Sequence, residues 1–326
     1  MQTMKSHIIL FLGFILVTFA GCRQEQPNTF EGRALGTIYH ITYMGADDAD
    51  MPARVDSVLQ VVNATFSVFD TNSLLTHFNW GEEITPNADL LHIIQKALSV
   101  SEQTDGAFDC TCQPLIELWG FGRNKTATSP TPEVVDSVRQ FVNYRLIGLE
   151  GDSLVKRDPR VQLNFNAIAK GFAVDKVAAL FKHLGYKDFI VEIGGEVVAS
   201  GHKNGRPWKV GIQVPTESAD GPVESSQQFE LSDRAVATSG NYRNYRERDG
   251  VRYTHILNPA TGKPEETNLL SVTVIAPDCT TADAFATAFM VLGRDRSTQI
   301  LQNHPELEAW FIYDENGKYK TDHIKP

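Results

Sequence analysis

Apolar spacing along the chain switches between the two-residue period of strands and the 3.6-residue period of helices, with no regular strand–helix–strand beat. That pattern disfavours a doubly wound parallel sheet. It implies an α+β fold, a single mixed domain in which mixed sheets pack with helices. Phe30 to Met44 alternates as one strand, with Ile38, His40 and Thr42 set against Tyr39, Ile41 and Tyr43. Pro52 opens a helix whose stripe is Val55, Val58, Leu59, Val62 and Phe66. Asn87 can cap a second helix carrying Leu90, Leu91, Ile94 and Leu98, with Gly106 ending the segment, and Thr131-Pro132 starts a third carrying Val134, Val135, Val138 and Phe141. A short strand is expected at Val161–Phe165, a helix from Ala167 to Leu184, and a strand from Asp188 to Ser200 broken at Gly194-Gly195. Further strands are expected at 208–214, 235–238, 253–256, 270–276 and 309–313, a surface loop at 215–228, and a helix at 282–292.

The N-terminus stands apart. Lys5 and His7 precede an apolar run from Ile8 to Phe19, about 12 residues, followed by Ala20, Gly21 and Cys22. A bilayer span needs roughly 20 residues. A basic start, a short apolar stretch and small residues before a cut describe a signal peptide over 1–21. Cys22 after Ala-Gly resembles a bacterial lipoprotein cleavage box, and the polar stretch 22–29 then reads as a tether. These features imply export and lipidation of Cys22, with the globular domain over 30–326. No linker-like boundary divides that body.

With Cys22 assigned to a lipid, Cys110, Cys112 and Cys279 remain, and an odd number argues against a disulfide framework. They are expected to be structural thiols. The net charge of −10 excludes a global basic field for nucleic acid but leaves room for a local anion site.

Five segments carry candidate chemistry. In Leu163-Asn-Phe-Asn-Ala-Ile-Ala-Lys170-Gly171 a strand runs into a helix start, where backbone N–H groups, the dipole and Lys170 favour an anion; the alternative is a solvated lysine. In Val191-Glu-Ile-Gly-Gly-Glu196 the paired glycines mark either a bulge or the close approach of a ligand. In Ala235–Tyr242 a strand ends in Thr238-Ser239-Gly240, offering hydroxyls and amides to phosphate, and His255 precedes an Asn-Pro-x-Thr-Gly turn, placed for proton transfer or for structure. Asp283 and Thr287 are four residues apart on one face of a small, apolar helix. A carboxylate there must be paired or metal-bound, and Asp plus Thr is hard-oxygen ligation suited to Mg²⁺; a back-bonded Thr and a helix-start Asp are the plainer alternative. Finally, Gly106-Ala-Phe-Asp109 and Pro114–Phe121 bring Trp119 and Phe121 around Gly120, for stacking on a planar ring or for the core.

Together these segments resemble the ApbE family, the FAD:protein FMN transferases. The match runs in order through Gly36-Thr37, Phe66 to Asn79, Asp109 to Phe121, Asn164 to Lys170, Gly194-Gly195, Ala237 to Gly240, His255 to Pro264, and Asp283 to Thr287. The resemblance implies FAD as substrate, Mg²⁺ on its pyrophosphate, and transfer of FMN to a threonine hydroxyl of a partner protein with release of AMP. It implies Asp283 and Thr287 as side-chain metal ligands and Ala167 as a carbonyl ligand. It places Lys170 and Asn164 against the flavin nucleotide, and Leu35, Leu74, Trp119, Gly120 and Phe121 in the flavin pocket. His255 would transfer the proton, with Ile256 beside it against the cofactor. The acceptor would be a membrane redox-pump subunit, and the enzyme would be lipid-anchored on the periplasmic side of a bacterial membrane. Asn164 and Asn258 depart from the Asp that the family commonly has. Two other readings stand beside this one: Mg²⁺-dependent hydrolysis of FAD to FMN and AMP, and a flavin-binding lipoprotein without turnover.

Overall fold

The computed structural model describes residues 26–123, 129–151, 153–213, 225–241, 245–248 and 251–326. The leader, Cys22, most of the tether, Tyr242 and residues 214–224 lie outside the described residues.

Eight strands of the main sheet lie side by side in chain order. They are β1 (Asn28–Ala34), β2 (Thr37–Tyr43), β3 (Phe189–Ile193), β4 (Glu196–Ser200), β5 (Arg234–Gly240), β6 (Leu269–Ala276), β7 (Glu308–Glu315) and β8 (Lys318–Ile324). Every neighbouring pair is antiparallel. Helices α1 (Met51–Phe66), α2 (Leu74–Asn79), α3 (Ala88–Gln103), α4 (Gln113–Leu118), α5 (Pro132–Arg139) and α6 (Ala169–His183) are all threaded between β2 and β3. Helix α7 (Cys279–Leu301) lies between β6 and β7. This is the α+β class that the mixed periodicity implies.

Both sheet faces are covered, and side-chain alternation sorts residues between them. Val191, Val198, Ala237 and Val274 join the helices in the large core. Val197, Ala199, Val236 and Ile275 face the other way, against Trp208, Ile212 and Leu231 of a hairpin formed by Trp208–Gln213 and Ser225–Leu231. β4 is therefore buried along its whole length. A third cluster joins α4 and α5 through Leu115, Trp119, Val135, Val142 and Leu257.

The helices at 52 and 87 form where expected, and Asn87 caps α3 by accepting from Leu90 N at 2.8 Å. Phe141 lies beyond α5, of which Val135 is the buried residue. The single strand expected at Phe30–Met44 is a hairpin. Ala34 pairs with Thr37, and Leu35 and Gly36 both have positive φ (52° and 75°), the turn whose twist matches the flanking strands. Alternation continues across so short a turn, which conceals the reversal. Gly194-Gly195 is likewise a hairpin turn, joining Ile193 to its partner Glu196, and not a bulge. Val161–Phe165 makes only an isolated bridge, from Gln162 to Cys112. The backbone of Leu163 bonds instead to a side chain: Leu163 N donates to Asn79 Oδ1 at 2.7 Å, and Asn79 Nδ2 donates to Leu163 O at 2.8 Å, while Asn164 N donates to Cys110 O at 2.8 Å. Helix α6 starts at Ala169, two residues later than expected. Helix α7 is longer than expected and breaks at Gly293 (φ 74°, ψ 171°), just after the expected end at Leu292.

Candidate active site

Strand β5 outruns β4. The ladder between them covers Arg234 to Val236, while β5 continues through Gly240 along β6. A cleft of about 1110 Å³ opens at this step and wraps the Gly194-Gly195 end of the sheet. Leu35, Phe121, Asn164, Ala167, Lys170, Thr238, Ser239, His255, Ile256, Asp283 and Thr287 all line it. Residues separated by up to 252 positions thus converge on one cavity, a strong sign of a binding site.

Leu74, Trp119 and Gly120 do not line it. Leu74 packs against the large core. Trp119 is buried in the α4–α5 cluster, where its Nε1 donates to Gly262 O at 2.8 Å. The loop residues Ala107, Phe108 and Asp109 line the wall instead. Phe121 reaches the cleft and meets His255 edge-on, with ring centroids 6.5 Å apart. Asn164 is buried with its amide engaged on both sides: Nδ2 donates to Gln113 Oε1 at 2.6 Å, and Oδ1 accepts from Asn166 N at 2.8 Å. A carboxylate at 164 could only accept from Gln113, whose amide would have to turn away from Glu117 Oε1.

The charged floor of the cleft lies where α6 and α7 meet. Gly171 is the third residue of α6, and its N–H is one of the unpaired donors of a helix start. It donates to Asp283 Oδ2 at 3.0 Å, so a carboxylate from α7 caps α6. A Cβ at 171 would lie 2.7 Å from the Cys279 carbonyl carbon and 2.9 Å from Asp283 Cβ, so only glycine lets the helices approach this closely. Asp283 is buried, at 3% exposure. Thr287 Oγ1, one turn on, lies 3.0 Å from Ser239 Oγ. Thr238 Oγ1 pairs with Thr273 Oγ1 at 2.8 Å, on the opposite face of the sheet from Ser239.

Lys170 does not stand ready for an anion as the sequence suggests. Its ammonium is paired with Glu196, the first residue of β4. Glu196 is a site residue the sequence reading did not assign. Its side chain is 1% exposed, and among the described residues Oε2 has no hydrogen-bond partner. Burial pushes the Glu196 carboxyl up to about 7, with Lys170 pulling it down and Asp283 pushing it further up. Burial works against the Lys170 ammonium, but Asp283 and then Glu196 outweigh it and hold its pKa above the ordinary lysine value.

With all three groups ionised, the floor carries one excess negative charge. The Gly171 N–H and the Lys170 ammonium are thus already engaged at this floor, and Lys209 of the hairpin is a further cation that lines the cleft. A hard cation would restore the balance, and the oxygens of Asp283, Thr287 and the Ala167 carbonyl suit Mg²⁺ chemically. Among the described residues no group of three His, Cys, Asp or Glu side chains is arranged to hold a metal. A cation here would therefore rest on two side chains and backbone or substrate oxygens.

The sequence pattern of the ApbE family matches residues 35–311. The FAD:protein FMN transferase of Vibrio cholerae is 33% identical over 323 residues, covering 95% of this chain and 96% of its own. That of Haemophilus influenzae is 34% identical over 319 residues, covering 92% and 91%. Among solved structures, the flavin transferase ApbE from Vibrio cholerae superposes with a TM-score of 0.82 at 32% identity, covering 92% of this chain and 97% of that one. The apo flavinyl transferase ApbE of Pseudomonas stutzeri gives 0.81 at 33%, covering 93% and 96%. The chain belongs to the ApbE family.

Proposed function

We propose that this protein transfers FMN from FAD to a threonine hydroxyl of an acceptor protein and releases AMP, with Mg²⁺ bound at the cleft floor. The carrying observation is the convergence of Lys170, Asp283, Thr287, Ser239 and His255 on one cavity, in a chain whose curated relatives are named FAD:protein FMN transferase. The acceptor Oγ forms a bond to the flavin-side phosphorus. The phosphoanhydride bond to AMP breaks, and AMP leaves with that electron pair. His255, at the cleft wall, takes the hydroxyl proton. The nucleophile belongs to the acceptor, so this chain supplies position and charge.

Asp283, Thr287 and the Ala167 carbonyl would hold the metal, which when bound supplies charge neutralisation on the pyrophosphate. Lys170 and the hydroxyl of Ser239 orient the phosphates. Leu35, Phe121 and Ile256 offer the flavin an apolar wall with an aromatic edge. We assign residues 1–21 to a signal peptide, 22–29 to a tether and 30–326 to one catalytic domain. Cys22 is the lipid anchor on the periplasmic side, and a membrane redox-pump subunit is the acceptor.

The test is to incubate the purified protein with FAD, Mg²⁺ and a candidate acceptor. Fluorescent flavin that stays on the acceptor in a denaturing gel, with matching AMP, supports transfer. AMP without labelled acceptor indicates hydrolysis, and tight FAD retention without AMP indicates binding alone.

A further inference from the structure

We infer that Glu196 is a positioning residue that holds Lys170 off Asp283, leaving the Asp283 carboxylate available to a divalent cation. This deepens the reading above and rests on its cation site.

Two carboxylates flank one ammonium at the cleft floor. Lys170 sits on a flexible four-carbon stem and keeps about a third of its side-chain surface in the open cleft. Its ion pair is with Glu196, while Asp283 Oδ2 accepts from Gly171 N at 3.0 Å. Asp283 also acts on Lys170 and helps hold its pKa above the ordinary lysine value. Without Glu196, Asp283 is a described carboxylate that the ammonium can follow. A lysine resting on Asp283 would compete with the cation for the same oxygens.

The setting of Glu196 fits such a role better than a purely structural one. It follows directly on the two-residue Gly194-Gly195 turn, so its backbone is fixed by the hairpin. Its side chain is nearly inaccessible yet borders the cleft. Among the described residues Glu196 Oε2 has no hydrogen-bond partner, and a buried polar atom left so calls for a functional explanation.

The experiment follows FAD binding by flavin fluorescence while Mg²⁺ is titrated into the purified full-length protein. Glu196→Gln is expected to raise the Mg²⁺ midpoint at least tenfold, with FAD binding recovered at saturating Mg²⁺. Glu196→Asp keeps the charge and is expected to fall between the two; it also serves if the Gln variant does not fold. The decisive comparison adds Lys170→Met. With no ammonium left to compete, Glu196→Gln should shift the midpoint less than threefold in that background. An unchanged midpoint in Glu196→Gln overturns the inference. So does an equal shift with and without Lys170, which would make Glu196 act on the cation directly. If FAD binding in the parent protein ignores Mg²⁺ altogether, the cation reading falls as well. If the parent depends on Mg²⁺ and Asp283→Ala abolishes that dependence while Glu196→Gln changes nothing, only the inference falls.

Discussion

The Gly171 amide donates to Asp283 Oδ2 at 3.0 Å, so the residue after the cleft lysine is bonded to the carboxylate that would hold the metal. One contact thus joins the start of α6 to the second turn of α7, across 112 positions of sequence. The absent side chain matters as much as the bond. Gly171→Ala must push α6 and α7 apart, because the new methyl meets backbone at Cys279 and not a movable side-chain tip. Overpacking of this kind costs about 1–3 kcal/mol. We expect a lower Tm together with weakened FAD binding, since the same shift moves Lys170 relative to Asp283. A folded Gly171→Ala protein with unchanged FAD affinity would show that this spacing does not set the site.

Asp283→Ala removes one of the two buried carboxylates of the floor. We expect loss of Mg²⁺-dependent turnover in an acceptor-labelling assay, with some loss of stability from uncapping α6. Thr287→Ala separates the two effects. It leaves the cap intact, deletes only the hydroxyl beside Ser239, and should weaken Mg²⁺ affinity by about 10–100-fold with little change in Tm. Full activity in Asp283→Ala would remove it from the metal site.

What was legible in the sequence were the elements whose signals are local. The Asn87 cap, the stripe of α1 and the Asp283–Thr287 spacing each lie within one or two turns of a helix, and each appears in the fold. The hairpin at Leu35-Gly36 was not legible, because leucine is not a turn residue; its positive φ is held by pairing with strands already in place. Val161–Phe165 has the composition of a strand, but Asn79 takes the backbone bonds of Leu163 from 84 positions away. The role of Glu196 stayed hidden for a related reason. Which carboxylate meets Lys170 is decided by how β4 packs on α6, and no spacing within either segment records it.

The aromatic residues near 120 offer a direct test of which side chains meet the flavin. Trp119 is 6% exposed, away from the cleft, and bonded to Gly262. Trp119→Ala should therefore cost about 3–5 kcal/mol of stability, with FAD affinity preserved at temperatures where the variant stays folded. Phe121→Ala should do the reverse, weakening FAD binding with a smaller loss in Tm. Denaturant melts beside fluorescence titrations measure both. Equal losses of FAD affinity in the two variants would return Trp119 to the flavin pocket.

Glu196 should leave a signature in the pH dependence of stability. An ordinary glutamate titrates near 4.5, while burial raises this one to about 7 in the folded state. Between those values the folded protein holds a proton that the unfolded chain has released. Stability therefore falls as pH rises through the window. The cost of the ionised form is absent below about 4.5 and complete above about 7. Denaturant unfolding without FAD or Mg²⁺ should show Glu196→Gln gaining on the parent protein as pH climbs from 5 to 7.5. A constant difference between the two across that range would mean that Glu196 titrates normally.

The three described cysteines make a last, independent test of the packing. Cys110, Cys112 and Cys279 are buried, and burial is the chief cause pushing each thiol above its ordinary range. The thiolate is the reactive form, so at pH 8 native protein should resist alkylation at all three positions. Unfolding in guanidinium should expose all three together. Cys112 is the informative member, because at 8% exposure it also borders the cleft. Peptide mapping after a short pulse of iodoacetamide should find it unlabelled both with and without FAD. Rapid labelling that FAD suppresses would show that the wall between Cys112 and the cleft opens in the free protein, and that Cys112 is part of the binding surface as well as the core.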